Sequence, residues 1–409
     1  MAVTQQKASR YRFVVGGLVV LLNLSIGLSF FAISPLLPVI IDDFGISRTA
    51  ASLLIGLVIL VQAIFSIPGG ILVARMDKKL MLAVGGLLSS CMVLAFLSRS
   101  FGVLLALRVV YGLGMAIMWP ATGPLVMQWF GRRERPLWNS LNMAASSAGI
   151  TISMFIAAPL AAAIGWREAL SVLSILAVVA SVLWIALGRS KESRPEVERM
   201  FSLREIRETV LSRTTLLMSL ADASSYALYS AVTSWLPTYY NEVMGFSLTQ
   251  VGLITGFLPF AGLIAVLIGG AMAVKFQRRK PLLLMPGIFM AVAAVGSFIT
   301  GNLAIIYPSV FLLGFMSWFW PPILFSIPME LPDASPEKVA MVWGTVGTLA
   351  SIMAFISPLT VGAMTDALGS YVPGFSLWAG FSLFFLLAVP LLPETGRPGS
   401  LGHGGVPPC

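Results

Sequence analysis

A chain of 409 residues, of which 57% are hydrophobic and only 11% charged, does not have the composition of a soluble globular protein, where about 25% are charged. One histidine, His403, and two cysteines, Cys91 and Cys409, exclude a histidine-bound metal, a haem and a disulfide framework, and no GxxxxGK[ST] stretch offers a phosphate-binding loop. The net charge of +9 is expected to reflect loop cations beside a membrane rather than nucleic-acid binding, and no cofactor is expected.

A membrane span needs about 20 apolar residues. Twelve stretches qualify: 13–39, 49–73, 80–98, 101–126, 137–164, 168–187, 214–236, 249–274, 281–300, 303–328, 338–364 and 372–392. With the N-terminus inside, 22 of the 26 lysines and arginines fall in cytoplasmic segments, and only Arg48, Arg99 and Arg167 fall outside. That asymmetry predicts cytoplasmic termini. The first apolar run lacks a small-residue cleavage site and continues for a full span, so no signal peptide is expected. Short loops suggest a bacterial inner membrane.

The fold class expected is an all-α membrane protein with twelve transmembrane helices in two pseudo-symmetric six-helix bundles. The first bundle covers 1–187 and the second 214–393. Between them lies a cytoplasmic linker, 188–213. Ser202 and Glu205 have the spacing of a capping box there. Phe201, Leu203, Ile206, Val210 and Leu211 suit a short helix on the inner membrane surface, and a solvated linker is equally open. The tail, 394–409, is rich in glycine and proline and is expected to be disordered.

The fourth span holds Arg108, the one basic residue deep in any span. Such a charge costs about 2.5–3.5 kcal/mol on insertion scales and usually faces protein or a water-filled cavity. At 100° per residue, Arg108, Tyr111, Gly112, Met115, Trp119 and Thr122 share one stripe.

An internal repeat runs through the chain at an offset of about 200 residues. Gly45 and Ser47 match Gly245 and Ser247, Gly70 matches Gly270, and Gly114 matches Gly314. Trp119-Pro120 matches Trp320-Pro321, and Pro159 matches Pro358. A shared offset across six spans implies a duplicated six-helix unit with both copies oriented alike, an arrangement found among secondary transporters.

Several local motifs carry a family resemblance. Gly69–Lys79, GGILVARMDKK, is similar to the loop 2–3 signature of the major facilitator superfamily, with Ala74 where an acid is expected and Asp77 where a glycine is expected. Gly270–Lys280 looks like a worn second copy, with Val274 at the acid position. Arg108–Ala116 resembles the fourth-helix signature RxxxGxg, and Thr365–Tyr371 resembles the usual end of helix 11. Ala158-Pro159 departs from the Gly-Pro signature of drug antiporters.

The resemblance implies a rocker-switch transporter whose spans 1, 4, 7 and 10 line a central cavity. The chain's own periodicity agrees. Asn23, Gly27, Phe30 and Ser34 share a stripe in span 1. Asp222, Ser225, Tyr226, Tyr229 and Thr233 do so in span 7, and Phe311, Phe315, Trp318, Pro322 and Phe325 in span 10. Span 5 adds Asn139, Asn142, Ser146 and Ser153. Candidate solute contacts are Asn23, Phe30, Arg108, Tyr111, Met115, Trp119, Asn142, Tyr226, Tyr229, Trp318 and Phe325.

Arg108 can bind a carboxylate or oxyanion, or set the proton affinity of a carrier. It can equally be a charge bonded to backbone carbonyls that braces its helix. Asp222 is the one acid deep in a span, and a carboxyl removed from water can bind and release protons near neutrality, so it and Arg108 are the candidates for proton coupling. If span 7 starts later, Asp222 is instead a helix cap. Gly70, Arg75, Lys79, Arg278 and Glu330 are candidates for a cytoplasmic gate, with Glu330 against the basic loop Lys275–Lys280; a screened surface pair is the plainer alternative. Asp42, Asp43 and Asp366 are expected to cap outer loops.

The leading function is secondary transport of a small organic or inorganic anion, with protons as the candidate coupling ion. A drug or metabolite exporter would instead use Asp222 as a cation contact. A transport-dead receptor of the same fold would bind without flux. An intramembrane enzyme needs clustered histidines, cysteines or paired carboxylates, which the spans lack. The expected partners are a small solute and membrane lipid, with no nucleic acid, and the expected state is a monomer.

Overall fold

The computed structural model describes residues 10–131, 134–191, 203–276, 278–331 and 336–395. Within them all regular structure is helical. The elements are α1 (Tyr11–Phe30), α2 (Leu37–Phe44), α3 (Arg48–Arg75), α4 (Lys78–Ser89), α5 (Phe101–Trp129), α6 (Arg135–Ile164) and α7 (Trp166–Leu187). They continue with α8 (Leu203–Val210), α9 (Arg213–Glu242), α10 (Leu248–Lys275), α11 (Lys280–Phe298), α12 (Leu303–Phe319), α13 (Pro321–Leu324), α14 (Pro336–Leu368) and α15 (Val372–Ala388). The protein is an all-α membrane protein.

Eleven helical stretches among the described residues are long and apolar enough to cross a membrane. The twelfth expected span is α9. At 30 residues it is about 45 Å long, ample for a bilayer. Its serines, threonines and tyrosines, together with Asp222, keep it from reading as an apolar span. The same polarity that makes α9 interesting hides it from a hydropathy criterion.

Prolines set the breaks. The first span is α1, a 3-10 turn at Ser34–Leu36, and then α2. Pro35 and Pro38 have no N–H to give to the carbonyls four residues back, so α1 cannot run on. The chain tightens instead, with Ser34 N–H to the Phe31 carbonyl at 3.0 Å and Leu36 N–H to that of Ile33 at 3.0 Å. The tenth span breaks likewise at Pro321-Pro322, between α12 and α13. Its repeat partner, Trp119-Pro120, lies inside an unbroken α5. There Pro120 and Pro124, one turn apart, are tolerated where two adjacent prolines are not.

The repeat is visible in backbone geometry. Gly45 (φ 60°) and Gly245 (φ 69°) each take the left-handed conformation after a helix, and Ser47 and Ser247 each follow two residues later to cap the next one.

Two compact units emerge from the packing. One comprises residues up to 198, with 232–260 and 358–371; the other comprises 199–231, 261–357 and 372 onward. The first unit thus contains the first six spans, the α9–α10 hairpin turn and the end of α14. The expected division at the central loop follows the repeat, whereas the packing units also divide α9, α10 and α14.

Inside the first unit, α1 and α6 cross at glycines. A Cβ on Gly27 would lie 2.0 Å from the Ser146 carbonyl oxygen, and one on Gly149 would lie 2.2 Å from that of Leu24. Small residues allow the two backbones to touch. The linker helix α8 is present as a single short helix; Ser202, the expected cap, lies outside the described residues, as does the tail beyond 395.

Candidate functional site

Arg108 sits seven residues into α5 and is completely buried. Its Nε donates to the Leu54 carbonyl at 2.6 Å, Nη1 to that of Ser29 at 2.9 Å and Nη2 to that of Phe30 at 2.8 Å. Ser29 and Phe30 end α1, where the final carbonyls lack helical partners. One turn along α5, the buried Tyr111 hydroxyl donates to the Ile26 carbonyl at 2.7 Å, and the guanidinium carbon lies 5.2 Å from the centre of the Tyr111 ring. One face of α5 therefore serves the backbone of α1 where proline interrupts it. A cation at a helix C-terminus is also favoured by the helix dipole. Of the two arrangements open from sequence, the carbonyl-bonded one is present here. No carboxylate pairs with Arg108 among the described residues, so carbonyl oxygens and the α1 dipole offset its charge only in part.

Asn23 and Asn142 meet. Asn23 Nδ2 donates to Asn142 Oδ1 at 3.3 Å and to the Val19 carbonyl at 2.9 Å, and Asn142 Nδ2 donates to the Trp138 carbonyl at 2.9 Å. Both are buried, and they join α1 to α6 beside the glycine crossing. Phe30 stands edge-on to Phe31 with centroids 4.5 Å apart. Met115 is buried in α5, whereas Trp119 is exposed.

The second unit holds the other candidates. Asp222 lies nine residues inside α9 and is buried, so it is not a helix cap. No hydrogen bond or ion pair to its carboxylate is found among the described residues. Tyr226 follows one turn later on the same face. Tyr229 meets Trp318 of α12 in a perpendicular contact at 5.6 Å. Nearby, Trp320 Nε1 donates to Ser225 Oγ at 2.9 Å, and Ser225 Oγ donates to Met290 sulfur at 3.3 Å. Phe325 packs between Trp320, at 6.2 Å, and Trp343, at 6.0 Å.

The gate candidates divide between the two units, Gly70, Arg75 and Lys79 in the first and Arg278 and Glu330 in the second. Glu330 pairs with Arg279, through Nη2 at 2.5 Å and Nε at 3.3 Å, and not with Arg278, which is exposed. Thr395 also donates to Glu330, at 2.6 Å, and Glu394 accepts from the Arg279 backbone N–H at 2.5 Å. All of these residues belong to the second unit. Lys79 is the second residue of α4, where its N–H is capped by Asp77 at 3.0 Å, and its carbonyl accepts from Trp184 Nε1 at 3.0 Å. Of Gly70 and Arg75 the structure describes the helical backbone alone.

A polar cluster that sequence reasoning did not assemble lies at the other ends of these helices. Arg48, Glu242, Asp366 and Tyr371 meet there inside the first unit. The available signal was that Arg48 is one of three cations on the side where the positive-inside rule disfavours them. Arg167, another of the three, is bonded to Asp43 at 2.6 Å.

The description of the Major Facilitator Superfamily matches residues 19–358 of the chain. The chain belongs to that superfamily. The family and the relatives named below point to a transporter and not an enzyme. The chain is 25% identical to a hexuronate transporter of Bacillus subtilis over 90% of its own length and 92% of the relative's. It is also 25% identical to a probable sulfoacetate transporter of Cupriavidus necator, over 83% of this chain and 84% of that one. Among solved structures, a bacterial homologue of the human lysosomal transporter Spinster, in an inward-facing and unoccupied conformation, superposes with a TM-score of 0.76. That match covers 93% of this chain and 96% of the other at 14% identity, which bears on fold alone. The protein is thus a multi-pass membrane transporter that takes a small-molecule substrate.

Proposed function

We propose that this transporter moves a small organic anion by alternating access of its two six-helix halves, with Asp222 as the proton carrier. The observation that carries the reading is the charge of Arg108 in the interior of the first unit, which no carboxylate among the described residues balances. In a medium of low dielectric such a charge raises the local potential and favours an anion nearby. A guanidinium has five N–H donors, and carbonyls take three of them here. Direct contact with a solute therefore requires the end of α1 to shift; without that shift Arg108 acts through its field. The two relatives named above, for hexuronate and sulfoacetate, support an organic anion as cargo. In this reading the Asn23–Asn142 pair braces the wall of the first half, Met115 and Trp119 add to that wall, and Tyr226, Tyr229, Trp318 and Phe325 wall the second. Both termini are proposed to face the cytoplasm across a bacterial inner membrane, and the working unit to be a monomer.

The test is uptake of labelled glucuronate and of sulfoacetate into proteoliposomes, with and without a pH gradient. Arg108→Gln is expected to abolish uptake, and Asp222→Asn to abolish its response to the gradient while leaving exchange intact. A second reading has one observation in its favour, the buried Asp222 beside Tyr226 and near the Tyr229–Trp318 contact, a setting suited to a lipophilic cation. Accumulation of such cations, with no response to either anion, would replace the anion reading with the exporter one.

A further inference from the structure

Helix α3 starts in a way its repeat partner α10 does not. In α10, Ser247 and Gln250 form a self-contained capping box: Ser247 N–H donates to Gln250 Oε1 at 3.1 Å, and Gln250 N–H donates to Ser247 Oγ at 3.3 Å. In α3 the equivalent positions are Ser47 and Ala50. Ser47 Oγ still accepts from the Ala50 N–H, at 3.1 Å, but alanine offers nothing in return. The N–H groups of the two residues after Ser47 are served instead by Asp366, more than 300 residues away near the end of α14. Its carboxylate accepts from Arg48 N–H at 3.1 Å, from Thr49 N–H at 2.8 Å and from Thr49 Oγ1 at 2.6 Å. With Ala51 N–H bonded to the Ser47 carbonyl at 3.0 Å, the first four N–H groups of α3 are all satisfied. Two of the four depend on a residue from the other half of the sequence.

The surroundings reinforce that docking. Gly362, one turn before Asp366, brings α14 so close that a Cβ there would lie 2.8 Å from the Arg48 carbonyl oxygen. Arg48 Nη2 donates to Glu242 Oε2 at 2.7 Å, and Arg48 Nε donates to the Tyr371 hydroxyl at 2.7 Å. Tyr371 in turn donates to Glu242 at 2.8 Å. Burial and the Glu242 carboxylate push the Tyr371 pKa up, so the phenol keeps the proton it donates. Alongside, the buried Ser34 Oγ donates to the carbonyls of Thr233 and Ser234. By contrast, the Arg279–Glu330 pair joins residues of one half and has nothing to break when the halves move.

We propose that Asp366, with Glu242 and Tyr371, is a latch from the second half of the sequence that completes the cap of α3 only while this end of the transporter is closed. Opening uncovers two helix N–H groups and separates the Arg48–Glu242 pair, which biases the protein toward closure at this end. The inference rests on the alternating-access part of the proposed function and not on its substrate.

The test is the alkylation rate of Ser34→Cys by maleimide, in detergent, on the full chain carrying Cys91→Ser and Cys409→Ser. No solute is needed, so a negative result leaves the anion assay untouched. Asp366→Asn is expected to lower the thermal unfolding temperature and to speed alkylation about tenfold, equivalent to about 1.4 kcal/mol in the opening equilibrium. Adding Ala50→Gln offers the Ser47 N–H an acceptor within α3, as Gln250 does for Ser247, and so strengthens the helix start without involving α14. It is expected to regain part of the unfolding temperature while leaving alkylation fast. If Ala50→Gln also returns alkylation to the reference rate, Asp366 is a local cap and not a latch. An unchanged rate in Asp366→Asn overturns the proposal as well.

Discussion

Replacing Arg108 with glutamine removes the guanidinium that holds the end of α1 to α5 and α3. The Ser29 and Phe30 carbonyls at the end of α1 lose their donors, whereas the Leu54 carbonyl, inside α3, keeps its helical partner. The shorter amide can serve one of the two, which leaves one. A buried polar group without a partner costs about 1–3 kcal/mol. Little is recovered by removing the charge, because the unfolded reference of a membrane helix still keeps that side chain among apolar groups. At roughly 2 °C per kcal/mol the unfolding temperature in detergent is expected to fall by about 2–6 °C. Arg108→Lys keeps the charge but not the planar fork and is expected to fall between the two. Thermal unfolding of the purified, monodisperse variants measures this directly. An Arg108→Gln protein that unfolds within a degree of the parent would refute the bracing role and leave solute contact as the reason for the arginine.

Three further outcomes follow from the packing. Gly27→Ala places a methyl 2.0 Å from the Ser146 carbonyl and should cost about 3 kcal/mol or more, whereas Gly17→Ala, with nothing within 4 Å, should be neutral or slightly stabilising in the same melt. A double-mutant cycle on Asn23→Leu and Asn142→Leu should show a coupling of about 0.5–1.5 kcal/mol in thermal stability; additive losses would mean the bond contributes nothing. Glu330→Gln should lower stability by about 1 kcal/mol or less and leave alkylation of Ser34→Cys unchanged, because Glu330 and Arg279 both come from the second half of the sequence. A change in alkylation would show that the pair does act as a gate.

The helices were legible because membrane spans are set by length and apolarity, both of which can be read directly. The predicted 101–126 and 168–187 became Phe101–Trp129 and Trp166–Leu187. The repeat was legible where chemistry is local: Gly45 and Gly245 take the same left-handed turn, and Ser47 and Ser247 cap the helices that follow. What stayed hidden depends on partners distant in sequence. Nothing near Asp366 announces that it caps a helix beginning at residue 48, and nothing near Glu330 separates Arg279 from Arg278 as its partner. The absence of an acid or amide at Ala50, set against Gln250, was the one local sign of an incomplete cap.

Polar stripes in a span invite a solute reading, because polar groups facing lipid are costly. Here much of that polarity serves backbone that proline and glycine have changed. Arg108 and Tyr111 answer carbonyls near the break of α1, and Asn23 and Asn142 answer each other beside a glycine crossing. Asp222 is different. It lies inside α9 with no hydrogen bond or ion pair among the described residues, next to aromatic rings that cannot stabilise its charge. A carboxylate in that position has a stability cost with no hydrogen bond or ion pair among the described residues to offset it, which is the ground for proposing it as the proton carrier. Asp222→Asn should therefore leave the unfolding temperature equal to or above the parent's while changing the response of transport to a pH gradient. A loss of several degrees with unchanged coupling would return Asp222 to the scaffold.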